Sequence, residues 1–295
     1  MTDPVTLFRD ALQDAFGALD WLPIPDGKIH RFHVPGDRTG SRNGWYVLHL
    51  DGLACGAFGS WKASGSQTWS SRQPADHLEA QLIARRIEQA KRQREAEQRE
   101  RQQNAAHEAF GLWNAAGPAD PEHPYLRRKG CQPHDLRQLG DVLLVPLFVS
   151  RQLVNLQRIY PDGSKRFLSG GRVAGAYSPI QTPGVRLTEG SRLYVCEGWA
   201  TGATIHEHNG AAVACAMNAG NLYAVADRLR LAYPYTEIVI AGDDDRQTEG
   251  NPGRTAAERA AAELGCGVVF PVWSGAEPLE LTDFNDLRQW REANQ

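Results

Sequence analysis

Five acidic residues in the C-terminal third of the chain follow short apolar runs. Glu197 follows one such run, Asp243 and Asp245 follow a second, and Asp283 and Asp286 come after a third. Short, continuous apolar runs are typical of strands that are buried on both faces of a parallel sheet. Sites in such sheets lie where the strands end. Because carboxylate oxygens are the ligands that Mg²⁺ prefers, the pattern predicts a site for a hard cation.

The spacing of these acids suits phosphoryl chemistry. Asp243 and Asp245 share one side of an extended strand end, since alternate residues point to the same face. One or two Mg²⁺ or Mn²⁺ ions held there would stabilise the attacking and leaving oxygens of an in-line displacement. Glu197 is a further ligand or a general base for a 3′-hydroxyl. Asp283 or Asp286 completes the cluster. The alternative is that these acids cap helices or turns, with Asp243 or Asp244 capping a turn and Asp286 a solvated helix residue.

A glycine, Gly198, directly follows Glu197, and Gly202 lies one helical turn further on. A side chain at these positions would crowd a substrate phosphate or the neighbouring strand. Simple turn geometry explains the two glycines equally well. Gly198 is therefore a candidate for contact with a nucleotide.

Strands and helices alternate over residues 188–295, which predicts an α/β domain with a parallel sheet covered by helices. Runs typical of strands cover 193–197, 211–216, 237–242 and 267–272, and helical patterns cover 201–208, 222–231 and 254–264.

A basic module of mixed α+β structure is predicted over residues 105–187, with strands over 142–148 and 153–160. Residues 120–172 hold nine Lys or Arg and five Asp or Glu, in a chain whose net charge is -3. Basic side chains bind phosphates, and an aromatic ring can stack on an unpaired base. The candidate strand-binding residues are Lys165, Arg166, Phe167 and Arg172, with a second patch at Arg127, Arg128 and Lys129. The alternative is that Phe167 is a core residue and that the cations are ordinary surface charges.

Two further segments precede this module. Residues 1–73 are predicted to form a small β-rich module, with strands over 28–34, 45–50 and 54–61. Residues 74–104 are predicted to form a charged helical linker, within a helical pattern that runs from 75 to 109. After Ala90 the apolar stripe gives way to mixed charges, which favour a solvated spacer over a DNA-binding helix.

Composition limits the class of protein. The chain has 295 residues, of which 41% are hydrophobic and 23% charged, as in ordinary globular proteins. Its five cysteines form no CxxC pair, which argues against a zinc ribbon or a disulfide scaffold. No run is long and apolar enough to span a membrane, and the first residues do not resemble a signal peptide. We therefore expect a cytoplasmic protein that does not act at a membrane.

Residues 188–295 resemble a Toprim domain, the catalytic module shared by DnaG-type primases, topoisomerases and certain nucleases. That family carries a glutamate after its first strand and a DxD motif after its third, which Glu197, Asp243 and Asp245 match. The segment 253–257 is similar to the helix start that follows the DxD in primase-like members. The segment 282–287 is similar to the KDxND element of phage and plasmid primases, with Thr282 in place of the lysine.

The wider chain resembles the primase-like Toprim proteins of phages and plasmids, at segments 123–126, 155–157, 165–168 and 218–222. This resemblance implies a nucleotidyltransferase that joins ribonucleoside triphosphates into short RNA primers on a single-stranded DNA template. It implies an acid/base role for Glu197, and Mg²⁺ or Mn²⁺ at Asp243 and Asp245 with an auxiliary acid at Asp283 or Asp286. The basic 127–172 region would hold the template.

The chain departs from the DnaG-type pattern at its N-terminal side. Such primases typically carry an N-terminal zinc-binding domain, whereas His30, His33, His49 and Cys55 match no zinc spacing. No Walker A motif is present, so the helicase would be a separate partner. Template recognition would then depend on the β-rich module or on a partner.

Two alternative functions remain open on the sequence. The same acids suit a metal-dependent nuclease, and a non-catalytic DNA-binding or regulatory protein of a mobile element would need none of them. A topoisomerase is disfavoured because no tyrosine-bearing cleavage domain is evident. Dinucleotide synthesis, DNA shortening, or binding without turnover would distinguish the three functions.

Overall fold

The computed structural model describes residues 3–37, 39–60 and 65–294. The chain divides into two compact units, Met1–Glu100 and Arg101–Gln295. A helix of 39 residues, His77–Ala115, runs through the boundary between them. Within the described residues, no helix combines the length and the apolar character needed to cross a bilayer.

The first unit packs a helix against a four-stranded antiparallel sheet. Its elements are α1 (Pro4–Phe16), β1 (His30–Phe32), β2 (Gly44–His49), β3 (Cys55–Ser60), β4 (Ser66–Ser70) and the first part of α2 (His77–Ala115). The strands lie in the order β1-β2-β3-β4. The predicted strand over 54–61 corresponds to β3, and its last residue, Trp61, lies outside the described residues.

Helix α1 was not part of the predicted β-rich module, although its sequence carries a helical signal. Pro4 occupies the first turn, where a missing N–H costs nothing. Phe8 and Leu12, four residues apart, are fully buried against Tyr46 and Phe58 of the sheet. This amphipathic spacing outweighs the strand-rich surroundings.

Helix α2 changes character along its length. Its middle is polar and carries i,i+4 ion pairs such as Arg92–Glu88, which suits a solvated helix. In its last turns Ala109 is fully buried, and Leu112 and Trp113 pack against the neighbouring sheet. The helix therefore extends beyond the predicted end at 109 because its final turns acquire an apolar face.

The second unit contains two sheets. The first is antiparallel, in the order β5-β6-β7-β8-β9. Its elements are β5 (Gly117–Pro118), α3 (Pro124–Lys129), β6 (Arg137–Leu139), β7 (Val142–Val149), β8 (Gln152–Ile159) and β9 (Lys165–Phe167). The predicted strands over 142–148 and 153–160 correspond to β7 and β8.

The second sheet has the order β10-β12-β11-β13-β14 and is covered by helices. Its elements are β10 (Ser178–Ile180), β11 (Arg192–Cys196), α4 (Trp199–Asn209), β12 (Ala212–Cys215), α5 (Leu222–Ala232), β13 (Glu237–Ala241), α6 (Pro252–Leu264), β14 (Gly267–Val269) and α7 (Phe284–Ala293). Strands β11 to β14 are parallel to one another, which confirms the predicted α/β class.

Two features of this sheet differ from the prediction. Strand β10 pairs antiparallel with β12 and comes from residues 178–180, within the predicted basic module. Strand β14 ends at Val269 rather than 272. Pro271 has no N–H to donate to the ladder, which limits continuation of the strand.

The two sheets share one apolar core. Tyr125 and Leu143, from the first sheet and its helix, belong to the same buried cluster as Trp199 and Val213 of the second. The predicted boundary between residues 187 and 188 lies in a stretch without strands or helices, 181–191. Because both sheets pack in one compact unit, side chains from the basic segment are able to meet the acids.

Candidate functional site

The acidic residues meet at the C-terminal edge of the parallel sheet. Strands β11 and β13 are adjacent and parallel, and Cys196 lies opposite Ala241 in their register. The chain therefore leaves both strands at the same edge, with Glu197 at the end of one and Asp243 shortly after the other. This is the position predicted from the apolar runs.

The carboxyl group of Glu197 is mostly buried, and its Oε1 has no hydrogen-bond partner among the described residues. Burial, with smaller contributions from the charges of Asp245 and Asp283, raises the pKa of Glu197 to about 7, although backbone amides of Asp243 and Ala219 oppose the shift. A carboxyl with a pKa near neutrality exchanges protons readily under physiological conditions. Glu197 is therefore suited to acid/base work.

Asp243 is buried more deeply and lies near several other acidic side chains. Its Oδ1 also lacks a hydrogen-bond partner within the described part of the chain. Burial raises the pKa of Asp243 to about 9, with further contributions from Glu197, Asp283 and Asp245. A bound cation would remove this repulsion and return the carboxyl to its ionised form.

The middle residue of the acidic triplet, Asp244, has a different environment. Its carboxylate is 4% exposed and accepts hydrogen bonds from Arg254 Nε (2.9 Å), Asn251 Nδ2 (2.7 Å) and Trp273 Nε1 (2.9 Å). The bond from Arg254 is the main reason why the pKa of Asp244 falls to about 2. The hydrogen bonds of Asp244 thus hold the loop in place, and Asp243 and Asp245 on either side of it are the candidate metal ligands.

Asp245 contacts the start of α6. Its Oδ2 accepts a hydrogen bond from the backbone N–H of Gly253 at 2.9 Å, and its own N–H donates to Asn251 Oδ1 at 2.8 Å. A Cβ atom at Gly253 would lie 2.9 Å from Asp245 Oδ2 and 3.0 Å from the carbonyl oxygen of Asp243. Glycine at this position therefore allows the helix to approach the acidic loop.

Asp283 and Asp286 lie at the N-terminus of α7. Asp283 caps the helix by accepting from the N–H of Asp286 at 2.8 Å, and its second oxygen accepts from Thr201 Oγ1 at 3.1 Å. Burial and the charge of Asp286 raise the pKa of Asp283. Asp286 pairs with Lys129 at 3.2 Å and accepts from the N–H of Thr282. Both acids therefore have structural partners, and their role as metal ligands stays a prediction.

Two lysines of the basic segment face the acids. Lys129 reaches Asp286, and Lys165 lies within electrostatic range of Asp243 and Asp283. Lys165 is exposed, and its ammonium lies 5.5 Å from the centre of the Tyr125 ring. Desolvation and repulsion from Lys129 lower the pKa of Lys165, and the two acids oppose this shift. The structure therefore brings the acids and two predicted phosphate-binding cations together.

The arginines of the predicted patches make their contacts elsewhere. Arg127 pairs with Glu122 at 3.2 Å, and Arg128 donates to the carbonyl of Pro161 at 3.3 Å. The guanidinium of Arg166 lies 5.9 Å from the centre of a tyrosine ring. All three remain largely at the surface, where they are accessible to a nucleic acid.

Phe167 and Arg172 both make contacts within the protein. Phe167 is half-buried and packs in an apolar cluster with Leu147 and Val149. Arg172 donates from Nε to the carbonyl of Ala174 at 3.0 Å. This packing agrees with the alternative that Phe167 is a core residue. Stacking of Phe167 on a base stays a prediction.

The two glycines near Glu197 differ in their surroundings. A Cβ at Gly202 would lie 2.4 Å from Cys215 Sγ, so this glycine allows α4 to pack on the sheet. A Cβ at Gly198 would come no closer than 3.5 Å to Thr201 Oγ1, and the φ of Gly198 is -95°. Gly198 is the N-cap of α4, a position that glycine favours, and its contact with a nucleotide stays a prediction.

Comparison with known protein families identifies the domain that carries these acids. The Toprim domain model matches residues 192–293, the stretch that begins with β11 and contains all five acids. This part of the chain is a Toprim domain.

Two curated relatives match most of this chain. Both bear the name DNA primase TraC, from Escherichia coli, and are 36% identical to this chain over 268 and 265 residues. Each match covers 86% of this chain but only 25% and 18% of the relatives. The chain therefore spans a quarter or less of the length of these proteins.

Solved structures with partial similarity include the primase fragment of the bacteriophage T7 primase-helicase protein. It is 14% identical, covers 58% of this chain and 66% of its own, and has a TM-score of 0.39. The DnaG primase catalytic domain bound to ssDNA is 16% identical, with coverage of 66% and 67% and a TM-score of 0.35. At these TM-scores, the fold assignment depends on the domain match and the sheet topology.

The donors in the Toprim domain fit a divalent cation, although no ready-made cage exists. Among the described residues, no three acidic, histidine or cysteine side chains converge closely enough to enclose an ion. The unpartnered oxygens of Glu197 and Asp243 are buried together with raised pKa values. Hard oxygen donors of this kind suit Mg²⁺, which keeps several of its waters and needs few protein ligands.

Several residues that shape the Toprim domain escaped the sequence analysis. Thr201 binds Asp283, and Asn251, Arg254 and Trp273 hold Asp244. The only local signal was the pair Asn251-Pro252, since asparagine is a preferred N-cap and proline favours the first helical turn. Trp273 and Thr201 are distant in sequence from their partners, so no spacing could reveal them.

Proposed function

We propose that this chain synthesises short RNA primers on single-stranded DNA by metal-dependent nucleotidyl transfer. The observation that carries this proposal is the pair of unpartnered carboxyl oxygens, on Glu197 and Asp243, at a strand edge that Lys129 and Lys165 face. The similarity to proteins named DNA primase supports it.

The proposed reaction assigns each residue one task. Glu197 accepts the proton of a 3′-hydroxyl, whose oxygen attacks the α-phosphorus of the next ribonucleoside triphosphate, and pyrophosphate leaves. Asp243 and Asp245 would hold Mg²⁺ or Mn²⁺, with Asp283 or Asp286 as an auxiliary acid. Such an ion supplies positive charge for the triphosphate and for the displaced oxygen.

The cations facing the acids would bind phosphate oxygens. Lys165 and Lys129 come from the first sheet and its helix, whereas the acids come from the Toprim domain. Gly198 leaves space beside Glu197 for a nucleotide. Arg166, Arg172, Arg127 and Arg128 would hold the template further out, and Phe167 would stack on one of its bases.

The decisive experiment uses two labels in one incubation. Purified protein is mixed with 5′-labelled single-stranded DNA of mixed sequence, radiolabelled ribonucleotides and Mg²⁺ or Mn²⁺. We expect short ribonucleotide products and intact DNA, and loss of these products in the Asp243→Asn, Asp245→Asn variant. Asp135→Asn, which alters an exposed acid outside the site, is the control. Shortened DNA would instead identify a nuclease, and binding without turnover a regulatory protein.

A separate replicative helicase and a cytoplasmic location stay predictions. The T7 relative is a primase-helicase protein, whereas no Walker A motif occurs in this chain. A helicase partner would therefore be supplied by another protein or by another segment.

A further inference from the structure

A second polar cavity lies in the same unit as the acids, between the β7–β8 turn and α5. Its volume is about 300 Å³, and it is lined by two arginines, two tyrosines, a serine and two apolar residues. The polar lining residues are Ser150, Arg151, Tyr177, Arg228 and Tyr233. None of the residues that the structure places around this cavity is acidic, so the arginine charges have no carboxylate there.

Arg228 places a buried guanidinium nitrogen at this cavity. Its Nε is buried and has no hydrogen-bond partner among the residues described. The guanidinium lies over Gly175, where a Cβ would be 3.2 Å from both Nε and Nη2. Gly175 has a φ of +66° and donates its N–H to Asn221 Oδ1 at 2.7 Å. The absence of a side chain at Gly175 therefore leaves room for the guanidinium of Arg228.

Arg151 lines the same cavity from the turn between β7 and β8. It is exposed and occupies, with Ser150, a two-residue turn in which both residues have positive φ values of 67° and 47°. Arg151 and Arg228 both lower the pKa of the Tyr177 phenol, against the larger effect of its desolvation. Both guanidinium groups therefore act on the region around one phenol.

We propose that this cavity binds a phosphate group of a single-stranded nucleic acid, as a contact outside the acidic site. Guanidinium groups match phosphate oxygens in charge and in forked geometry, and phenol hydroxyls add further donors. The absence of a lining carboxylate favours an anion over a peptide amine or a metal.

The position of the cavity favours binding of a nucleic-acid strand over binding of a free nucleotide. The turn Ala219–Asn221 contributes the Ala219 amide near Glu197 and the Asn221 side chain that anchors Gly175 beneath Arg228. The two sites therefore lie on either side of one short turn. A continuous strand is able to contact both, and this part of the inference rests on the proposed function.

The test measures DNA binding without nucleotides or metal. Fluorescence anisotropy of a labelled single-stranded oligonucleotide is recorded over a salt series, for the wild type and for Arg151→Asn, Arg228→Gln. Asparagine tolerates the positive φ at 151. We expect affinity to fall by about tenfold, and the slope of log K against log salt to decrease in magnitude by about 0.7 for the one phosphate contact that is lost.

Two controls make the result specific. Arg192→Gln, Arg259→Gln removes the same charge from exposed arginines that are paired with Glu237 and Glu263, and should leave the slope unchanged. Arg151→Asn alone alters only an exposed turn residue, and should reduce the slope by less than the double variant does, because Arg228 still contacts the phosphate. This single variant keeps the test valid if the double variant fails to fold.

Each result separates this inference from the proposed function. Equal binding by the cavity variants and the control pair would overturn the cavity site, whatever the primer-synthesis assay shows. Absence of DNA binding by the wild type would overturn both proposals. Calorimetric titration with inorganic tripolyphosphate covers the other source of phosphate. If tripolyphosphate binding depends on Arg151 and Arg228 while DNA binding by the variant is unchanged, the ligand of the cavity is a free nucleotide and not a DNA strand.

Discussion

Adjacent aspartates in the acidic triplet have opposite electrostatic environments. Asp243 is buried without a hydrogen-bond donor at Oδ1, and burial raises its pKa to about 9. Asp244 accepts three side-chain hydrogen bonds, which lower its pKa to about 2. Because neighbouring residues of an extended segment point in opposite directions, one carboxylate serves the loop while the other faces the site.

Asp243→Asn is expected to abolish primer synthesis and to stabilise the metal-free protein. The carboxyls of Glu197 and Asp243 have folded pKa values of about 7 and 9, above their unfolded values. Between about pH 5 and pH 9 the folded state therefore binds more protons than the unfolded state, and the free energy of unfolding falls as pH rises. Thermal unfolding at several pH values should show a smaller decline for the variant. A steeper decline would contradict this account.

Asp244→Ala is expected to destabilise the protein by about 2 kcal/mol, because it leaves Arg254 and Trp273 without their acceptor. The partial exposure of Arg254 limits the loss. Urea unfolding measures the change, with Glu258→Ala as a control that removes only the second, exposed partner of Arg254. Equal stability of the two variants would show that Asp244 does not hold the loop.

At the scale of elements, the turn from β11 into α4 combines close packing with open space. Gly202→Ala should lower the free energy of unfolding by about 1–3 kcal/mol, since the new Cβ would overlap Cys215 Sγ.

Gly198→Ala should leave thermal stability nearly unchanged but reduce primer synthesis, because its Cβ meets only ordinary contacts within the protein. Wild-type activity in a stable Gly198→Ala variant would remove the substrate interpretation of this residue.

Periodicity predicted most elements of the Toprim domain, because short apolar runs bounded by glycine and acids are distinctive of buried parallel strands. It did not predict β10, whose three residues carry too little pattern. Nor did it predict α1, although Phe8 and Leu12 have helical spacing. The last strand was predicted too long because the apolar run continues past Pro271, where the ladder stops.

The candidate site was predictable where a residue's own strand positions it. Glu197, Asp243 and Asp245 follow directly from strand ends. The approach of Lys165 to the acids depends on how two sheets pack, which no sequence spacing encodes. The partners of Asp244 likewise come from α6 and from the segment after β14.

At the scale of the whole molecule, the two units divide within α2, and each has its own core. A fragment covering Arg101–Gln295 should therefore fold alone, with the last turns of α2 retained through the packing of Ala109. Circular dichroism should show cooperative thermal unfolding of this fragment. A fragment without a cooperative transition would show that the second unit depends on the first.

The central claim is that the strand-edge carboxyls catalyse primer synthesis, and Glu197→Gln tests it most directly. The amide keeps the shape of the side chain but cannot accept the proton. The rate of dinucleotide formation on single-stranded DNA should fall by about 10²–10⁴-fold, the range for loss of a general base, while DNA binding is unchanged. A Glu197→Gln variant that forms dinucleotides at the wild-type rate would contradict the account.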